Sequence, residues 1–198
     1  MTSFLDQPVG QFLDQVAARS PAPGGGGATA MTAALAAGLV AMAARFSAAQ
    51  LPDAEDLAAT ADQLRCRAAE LVAEDAQAYG RVLDAFALPR DAEGVRDRLV
   101  REALERAAAV PHEMTEIAAQ VAAMAARVAG AGNPNLRGDS VTGGVLAEAS
   151  ARSAACLVDI NVELGGLSKD ISLSAARHVA AAAAAAQDAT ALTGTSSG

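Results

Sequence analysis

Apolar side chains recur every three to four residues along most of this chain, and short polar, glycine or proline segments interrupt them. This spacing is typical of amphipathic α-helices, and the interruptions mark their ends. The pattern predicts six helices, over residues 4–19, 28–48, 53–87, 92–129, 140–166 and 169–190. Pro111 falls inside the fourth of these helices, where it removes a backbone hydrogen bond and should bend the helix.

Composition supports a helical fold. Hydrophobic residues make up 52% of the 198, but the chain has no Trp, one Tyr and four Phe. Alanine is the strongest helix former, and strand-favouring residues are sparse. The predicted fold is all-α, a single-domain bundle of about six helices over residues 1–192 with a disordered tail at 193–198. Alanines on several helix faces favour a homodimer that pairs through helix faces.

Charge and targeting signals limit the classes of partner. A net charge of −8 argues against nucleic acid, which binds proteins through Lys and Arg. The first twenty residues lack the apolar segment of a secretory signal. Residues 28–44 approach the length of a membrane span but are mostly Ala, Gly and Thr, which favours a buried core helix. We therefore expect a cytoplasmic protein with no nucleic-acid or membrane partner.

Metal-ligand patterns are missing from the sequence. Cys66 and Cys156 are isolated, and neither His112 nor His178 has a second ligand at the spacing of a metal site. The prediction is that the protein has no metal site.

A glycine run follows two prolines before the second predicted helix: Gly24, Gly25, Gly26 and Gly27. Glycines let backbone amides approach a ligand closely, and a helix beginning near Ala28 would direct its free N–H groups at the run. This arrangement could bind an anion or a carbonyl. Equally, the run could be a tight connection between two closely packed helices. No Gly-Lys-Ser/Thr follows, so it is not a P-loop.

One carboxylate interrupts an apolar helix face. Asp75 lies in the middle of a stripe on the predicted helix 53–87, among Leu57, Leu64, Ala68, Leu71, Tyr79, Val82 and Phe86. A carboxylate there is either buried and paired or faces a cleft as a candidate acid or base. Tyr79 shares this face and could donate a hydrogen bond to it. The structural alternative is an aspartate that caps another helix or pairs with an arginine.

Amides recur in two further places. Asn161 lies on an apolar face of the predicted helix 140–166, where it could contact a ligand or form an interhelical hydrogen bond. Before that helix, Asn133 and Asn135 flank a proline, which favours a binding loop. Asp139 or Ser140 is expected to cap the helix.

Short segments along the chain, taken in their order and spacing, resemble the cyclodeaminase and cyclohydrolase family of folate enzymes. The matching segments are Ser-Pro-Ala-Pro-Gly-Gly-Gly at 20–26, Glu-Asp-Ala-Gln-Ala-Tyr at 74–79, Leu-Pro at 88–89, Val-Pro at 110–111, Gly-Asn-Pro-Asn at 132–135, Asp139 and Ile-Asn-Val at 160–162. They cover nearly the whole chain. The resemblance implies an all-helical dimer that acts on one-carbon units carried between N5 and N10 of tetrahydrofolate.

The activity this resemblance favours is hydrolysis of 5,10-methenyltetrahydrofolate to 10-formyltetrahydrofolate. One alternative is formiminotetrahydrofolate cyclodeaminase, which releases ammonia, and another is a non-catalytic folate-binding or helical interaction protein. No cofactor beyond the tetrahydrofolate-derived substrate is implied. The catalytic candidates are Asp75, Asp139 and Tyr79, with Asp75 as general base. The substrate-binding candidates are Gly24, Gly25, Gly26, Gly27, Asn133, Asn135 and Asn161.

Four places depart from the family pattern. Gly27 stands where the family has serine, Leu157 where it has asparagine, and His112 where it has an apolar residue after the proline. Arg137-Gly138 interrupts an approach to Asp139 that usually contains serine. The first two departures remove a hydroxyl and an amide near the expected pocket. They therefore bear on substrate and turnover more than on family membership.

Overall fold

A computed structural model describes residues 4–89 and 94–193. Within these ranges the chain forms six α-helices and two short 3-10 helices, without a strand. The α-helices are α1 (Val9–Ala17), α2 (Gly25–Arg45), α3 (Ala54–Ala87), α4 (Val95–Ala131), α5 (Arg137–Gly165) and α6 (Asp170–Ala191). The 3-10 helices span Phe4–Asp6 and Pro134–Leu136. The predicted all-α class is confirmed.

Helix α2 forms the centre of the bundle and packs against α3, α4 and α5. Its buried positions are mainly Ala and Gly, so neighbouring backbones come close. At Gly143 of α5, an added Cβ would lie 3.2 Å from the carbonyl oxygen of Ala36. By length and composition α2 could cross a membrane, but 61% of its apolar window is buried in the bundle. It packs here as a core helix.

Several predicted helix ends are wrong, for local reasons. The predicted helix 4–19 is divided, because Pro8 fixes the backbone and starts α1. Helix α5 begins three residues early, at Arg137, so neither Asp139 nor Ser140 is its N-cap. Ser140 instead donates its hydroxyl to the carbonyl of Leu136 at 3.0 Å.

Helix α4 is continuous through Pro111. The predicted start of this helix at residue 92 lies outside the described residues. So does the predicted disordered tail, apart from Thr193.

Candidate active site at the N-terminus of α2

A cavity of about 520 Å³ opens where the first turn of α2 faces α3 and α5. Its walls are mostly apolar, and Asp75 is the one carboxylate among the described residues that line it. The lining residues are Ser20, Pro21, Ala22, Gly24, Gly25, Gly26, Asp75, Ala76, Ala78, Tyr79, Val82, Leu83, Phe86, Leu104, Ala107, Leu157, Ile160, Asn161 and Leu164. Such an apolar pocket with a few converging polar groups is typical of a small-molecule site.

The glycine run forms the first turn of α2 and not a loop before it. Glycine is a poor helix former, so packing must hold this turn in place. Thr29 donates its hydroxyl to the carbonyl of Gly25 at 2.7 Å and lies 2.8 Å from the hydroxyl of Ser153. Buried Ser150 donates to the carbonyl of Thr29 at 3.0 Å. Helix α5 thereby fixes the turn.

The carboxylate of Asp75 sits against this first turn. A Cβ on Gly26 would overlap the carboxylate, so only glycine permits the contact. The backbone N–H of Gly27 donates a hydrogen bond to it. The helix N-terminus, which we expected to bind an anion or carbonyl of a ligand, therefore holds a carboxylate of the protein itself.

Two neighbouring carboxylates of α3 have opposite environments. Glu74 bonds to Arg67 and to Arg106, each at 2.6 Å, and the Arg67 bond lowers its pKa. Burial raises the pKa of Asp75, and the hydrogen bond from Gly27 offsets this only partly. No Arg or Lys is among the described residues that line the cavity. Glu74 fixes α3 to α4, whereas Asp75 remains available for acid–base chemistry.

Tyr79 and Asn161 line the same cavity. Tyr79 is 45% exposed and, within the described chain, makes no hydrogen bond to Asp75, so that expected contact is not formed. Asn161 donates its amide to the carbonyls of Ala107 and Leu157, each at 2.9 Å. The interhelical hydrogen bond is thus confirmed, and the same residue forms part of the cavity wall.

The asparagine loop lies at the opposite end of α2, about 30 Å away at 1.5 Å per residue. Asn133 donates its side-chain amide to the carbonyl of Phe46 at 3.1 Å and its backbone N–H to Ser47 Oγ at 2.9 Å. Its side-chain oxygen accepts from the backbone N–H of Asn135 at 3.0 Å.

The predicted site residues are therefore divided between two places in one chain. The cavity brings together Asp75, Tyr79, Asn161 and the first three glycines. Asn133 and Asn135 lie at the other end of α2, and neither they nor Asp139 line the cavity. Their assignment to catalysis or substrate binding stays a prediction.

Comparison with known proteins identifies the relatives. Residues 8–172 match the family model described as formiminotransferase-cyclodeaminase. The chain belongs to this family. A methenyltetrahydrofolate cyclohydrolase from Methylorubrum extorquens is 31% identical over 161 residues, which are 77% of each chain. A formimidoyltransferase-cyclodeaminase from Mus musculus is 33% identical over 129 residues, 60% of this chain but 24% of that protein.

A solved structure supports the fold. The crystal structure of formiminotetrahydrofolate cyclodeaminase from Thermotoga maritima matches with a TM-score of 0.85 at 23% sequence identity. The match covers 95% of this chain and 96% of that one.

Of the four departures from the family pattern, only Leu157 lies on the cavity wall. Gly27 is buried, and a Cβ there would lie 3.2 Å from Pro23 Cβ, so glycine relieves a tight contact. His112 packs beside His178, with ring centroids 5.4 Å apart, and does not line the cavity.

The sequence alone did not point to the apolar walls or to the supporting hydroxyls. The cavity is lined in part by three leucine and isoleucine side chains that are 41% to 62% exposed, Leu83, Ile160 and Leu164. Apolar residues next to Asp75 and Asn161 on their helices were the available signal. Nothing in the sequence pairs Thr29 with Ser153, which are 124 residues apart.

Proposed function

We propose that this chain is a folate-dependent one-carbon enzyme that hydrolyses 5,10-methenyltetrahydrofolate to 10-formyltetrahydrofolate. The observation that carries the proposal is Asp75, a partly buried carboxylate in an apolar cavity whose described lining includes no cationic side chain. The N–CH=N bridge of the substrate is a cation. A carboxylate in a poorly solvated wall complements that charge.

Asp75 acts as the general base in this proposal. It takes a proton from water as the water oxygen bonds to the bridge carbon, which gives a neutral adduct. The N5–C bond then breaks, N5 receives the proton held by Asp75, and the adduct hydroxyl loses its proton to solvent as the formyl C=O forms. Because burial raises the pKa of Asp75, it is a stronger base than an ordinary aspartate.

A formiminotetrahydrofolate cyclodeaminase activity is the second candidate, because several relatives carry that name. In that reaction N10 attacks the formimino carbon and ammonia leaves. Asp75 would take the proton of N10 and pass one to the departing nitrogen. The reaction thus needs a base and an acid at the same position. The chain covers about a quarter of the length of those relatives, so their whole activity need not transfer.

A homodimer is part of the proposal. Met31, Leu35 and Met42 lie on one face of α2, in line with its C-cap Phe46, and Leu35 and Phe46 are 60% and 63% exposed. An apolar face of this kind favours a partner subunit. Sedimentation of the protein and of Leu35→Asp tests it, since the substitution should yield monomers. A cytoplasmic location remains a prediction.

The activity test uses both substrates in parallel. Purified protein is mixed with 5,10-methenyltetrahydrofolate, and loss of its near-ultraviolet absorbance is compared with the spontaneous rate. 5-Formiminotetrahydrofolate is followed for gain of the same absorbance and for ammonia. Accelerated loss supports the cyclohydrolase, and accelerated gain supports the cyclodeaminase. Folate binding without turnover of either would favour the non-catalytic alternative.

A further inference from the structure

The side-chain amide of Asn161 is held in one orientation. Its nitrogen carries two hydrogens and lies 2.9 Å from each of two backbone carbonyls, those of Ala107 and Leu157. A carbonyl can only accept a hydrogen bond. The nitrogen must therefore face these two groups, and the oxygen must face elsewhere.

Pro111 explains why the carbonyl of Ala107 is available. In an α-helix this carbonyl would accept from the backbone N–H four residues later, and at that position Pro111 has none. Ala107 is only 8% exposed, so an unpaired carbonyl there would be costly. Asn161 supplies the missing donor from α5.

The oxygen of the same amide is open to the cavity. Within the described chain it has no hydrogen-bond partner, and it is not among the buried side-chain atoms that lack one, which are His112 Nε2 and Arg137 Nε. Since Asn161 lines the cavity, this oxygen is exposed to whatever binds there. Leu104 and Leu157 beside it strengthen any hydrogen bond by excluding water.

We propose that Asn161 determines specificity by presenting a fixed hydrogen-bond acceptor to an N–H group of the ligand, and that Pro111 is the positioning residue that fixes it. The inference rests on the proposed function, in which the ligand is a reduced pterin. That ring has N–H donors at N3, at N8 and on the 2-amino group. A ligand with an acceptor at the matching position is rejected, because turning the amide would direct its oxygen at two carbonyls and leave that of Ala107 unpaired.

The double variant Asn161→Leu/Pro111→Ala separates recognition from folding. The first change removes the acceptor and leaves the Ala107 carbonyl unpaired; the second returns a backbone N–H to that carbonyl. Thermal melts should show that the double variant recovers stability lost in Asn161→Leu. Gln120→Leu, which replaces an exposed amide of α4, is the matched control and should behave as wild type.

Kinetics are measured with 5,10-methenyltetrahydrofolate and three analogues that lack one donor each: 8-deaza, N3-methyl and 2-desamino. Wild type should show a KM about tenfold higher for one analogue, the cost of an unpaired group. The double variant should show the same raised KM with 5,10-methenyltetrahydrofolate itself, and it should not discriminate against the analogue. Its kcat should change far less than its KM.

Two results would overturn the inference: a double variant with wild-type KM, or one that still discriminates against the same analogue. If the double variant does not fold, Pro111→Ala alone serves, because its new N–H satisfies the Ala107 carbonyl, and the amide can then turn without leaving that carbonyl unpaired. Its discrimination should then weaken, and unchanged discrimination contradicts the role of Pro111. Wild type that turns over none of the compounds refutes the proposed function itself, and this inference with it.

Discussion

Predicted site residues lie at both ends of α2, and the two ends differ in what their polar groups do. At the C-terminal end, Ser47 and Asn133 bond to each other and to backbone atoms of the chain. At the N-terminal end, Asp75 is partly desolvated without a cationic partner, and Asn161 has an open oxygen. Internal hydrogen bonds account for the polar groups at the C-terminal end. At the N-terminal end, polar groups without a partner beside a cavity are a stronger sign of a binding site.

Asp75→Asn should cause the largest loss of activity. Loss of the general base should lower kcat by about 10²-fold or more, with helicity retained by circular dichroism. Asp139→Asn, the same change at the far end of α2, is the matched comparison and should have little effect. An equal loss in both variants would mean that the two ends of α2 form one site.

The pH profile sharpens the same assignment. Because burial raises the pKa of Asp75, its basic form is depleted when the pH falls through that raised value. The value of kcat/KM should therefore fall on the acid side, with a midpoint above that of an ordinary aspartate. A midpoint near the ordinary value would argue that Asp75 is not the base.

Gly26→Ala should cause the next largest loss of activity. The new Cβ would occupy the position of the Asp75 carboxylate and push it from the first turn of α2. We expect kcat/KM to fall by about 10-fold to 10²-fold, as small misplacements of catalytic groups do. Gly80→Ala in α3 is the control, since its Cβ meets no atom within 4 Å. Wild-type kinetics in Gly26→Ala would disprove the need for close approach.

At the other end, Ser47→Ala should affect stability and leave kinetics unchanged. Ser47 is fully buried, donates to the carbonyl of Ala43 at 2.7 Å and accepts from Asn133. Its loss leaves that N–H unpaired, which costs about 1–3 kcal/mol in the free energy of unfolding, measured by urea denaturation. Thr60→Ala removes a similar bond from an exposed site and should cost much less. A drop in kcat for Ser47→Ala would give this end a catalytic role.

The smallest expected effect is on the pH dependence of stability, and it concerns His112, which lies at neither end of α2. Burial, then the neighbouring His178, lowers its pKa, and Glu116 opposes this. The unfolded chain therefore binds the proton more tightly than the folded one. The stability that His112 contributes is complete above its ordinary pKa of about 6.5 and is lost as the pH falls below it. Melting temperatures of wild type and His112→Gln between pH 5 and 8 should converge at the acid end.

Much of the fold followed from local pattern. Apolar spacing and alanine content gave the helical class, and the long helices α3, α4 and α6 were found within a few residues where the structure describes them. The predicted helix boundaries were wrong where tertiary packing overrides the helix propensity of single residues. Gly25 to Gly27 are helical only because α5 holds Thr29 and Asp75 packs against them. No scale of single-residue preference contains that contact.

The sequence by itself determined the helical class, the family, and the candidacy of Asp75, because helical periodicity alone shows a carboxylate on an apolar face. Only the tertiary structure decided which candidates meet. It placed Asp75 and Asn161 on one cavity and Asn133 about 30 Å away, since α2 separates them. It also assigned the donor of Asn161 to a carbonyl freed by Pro111, a pairing across 54 residues of chain. Such pairings depend on how helices pack, and local sequence does not encode them.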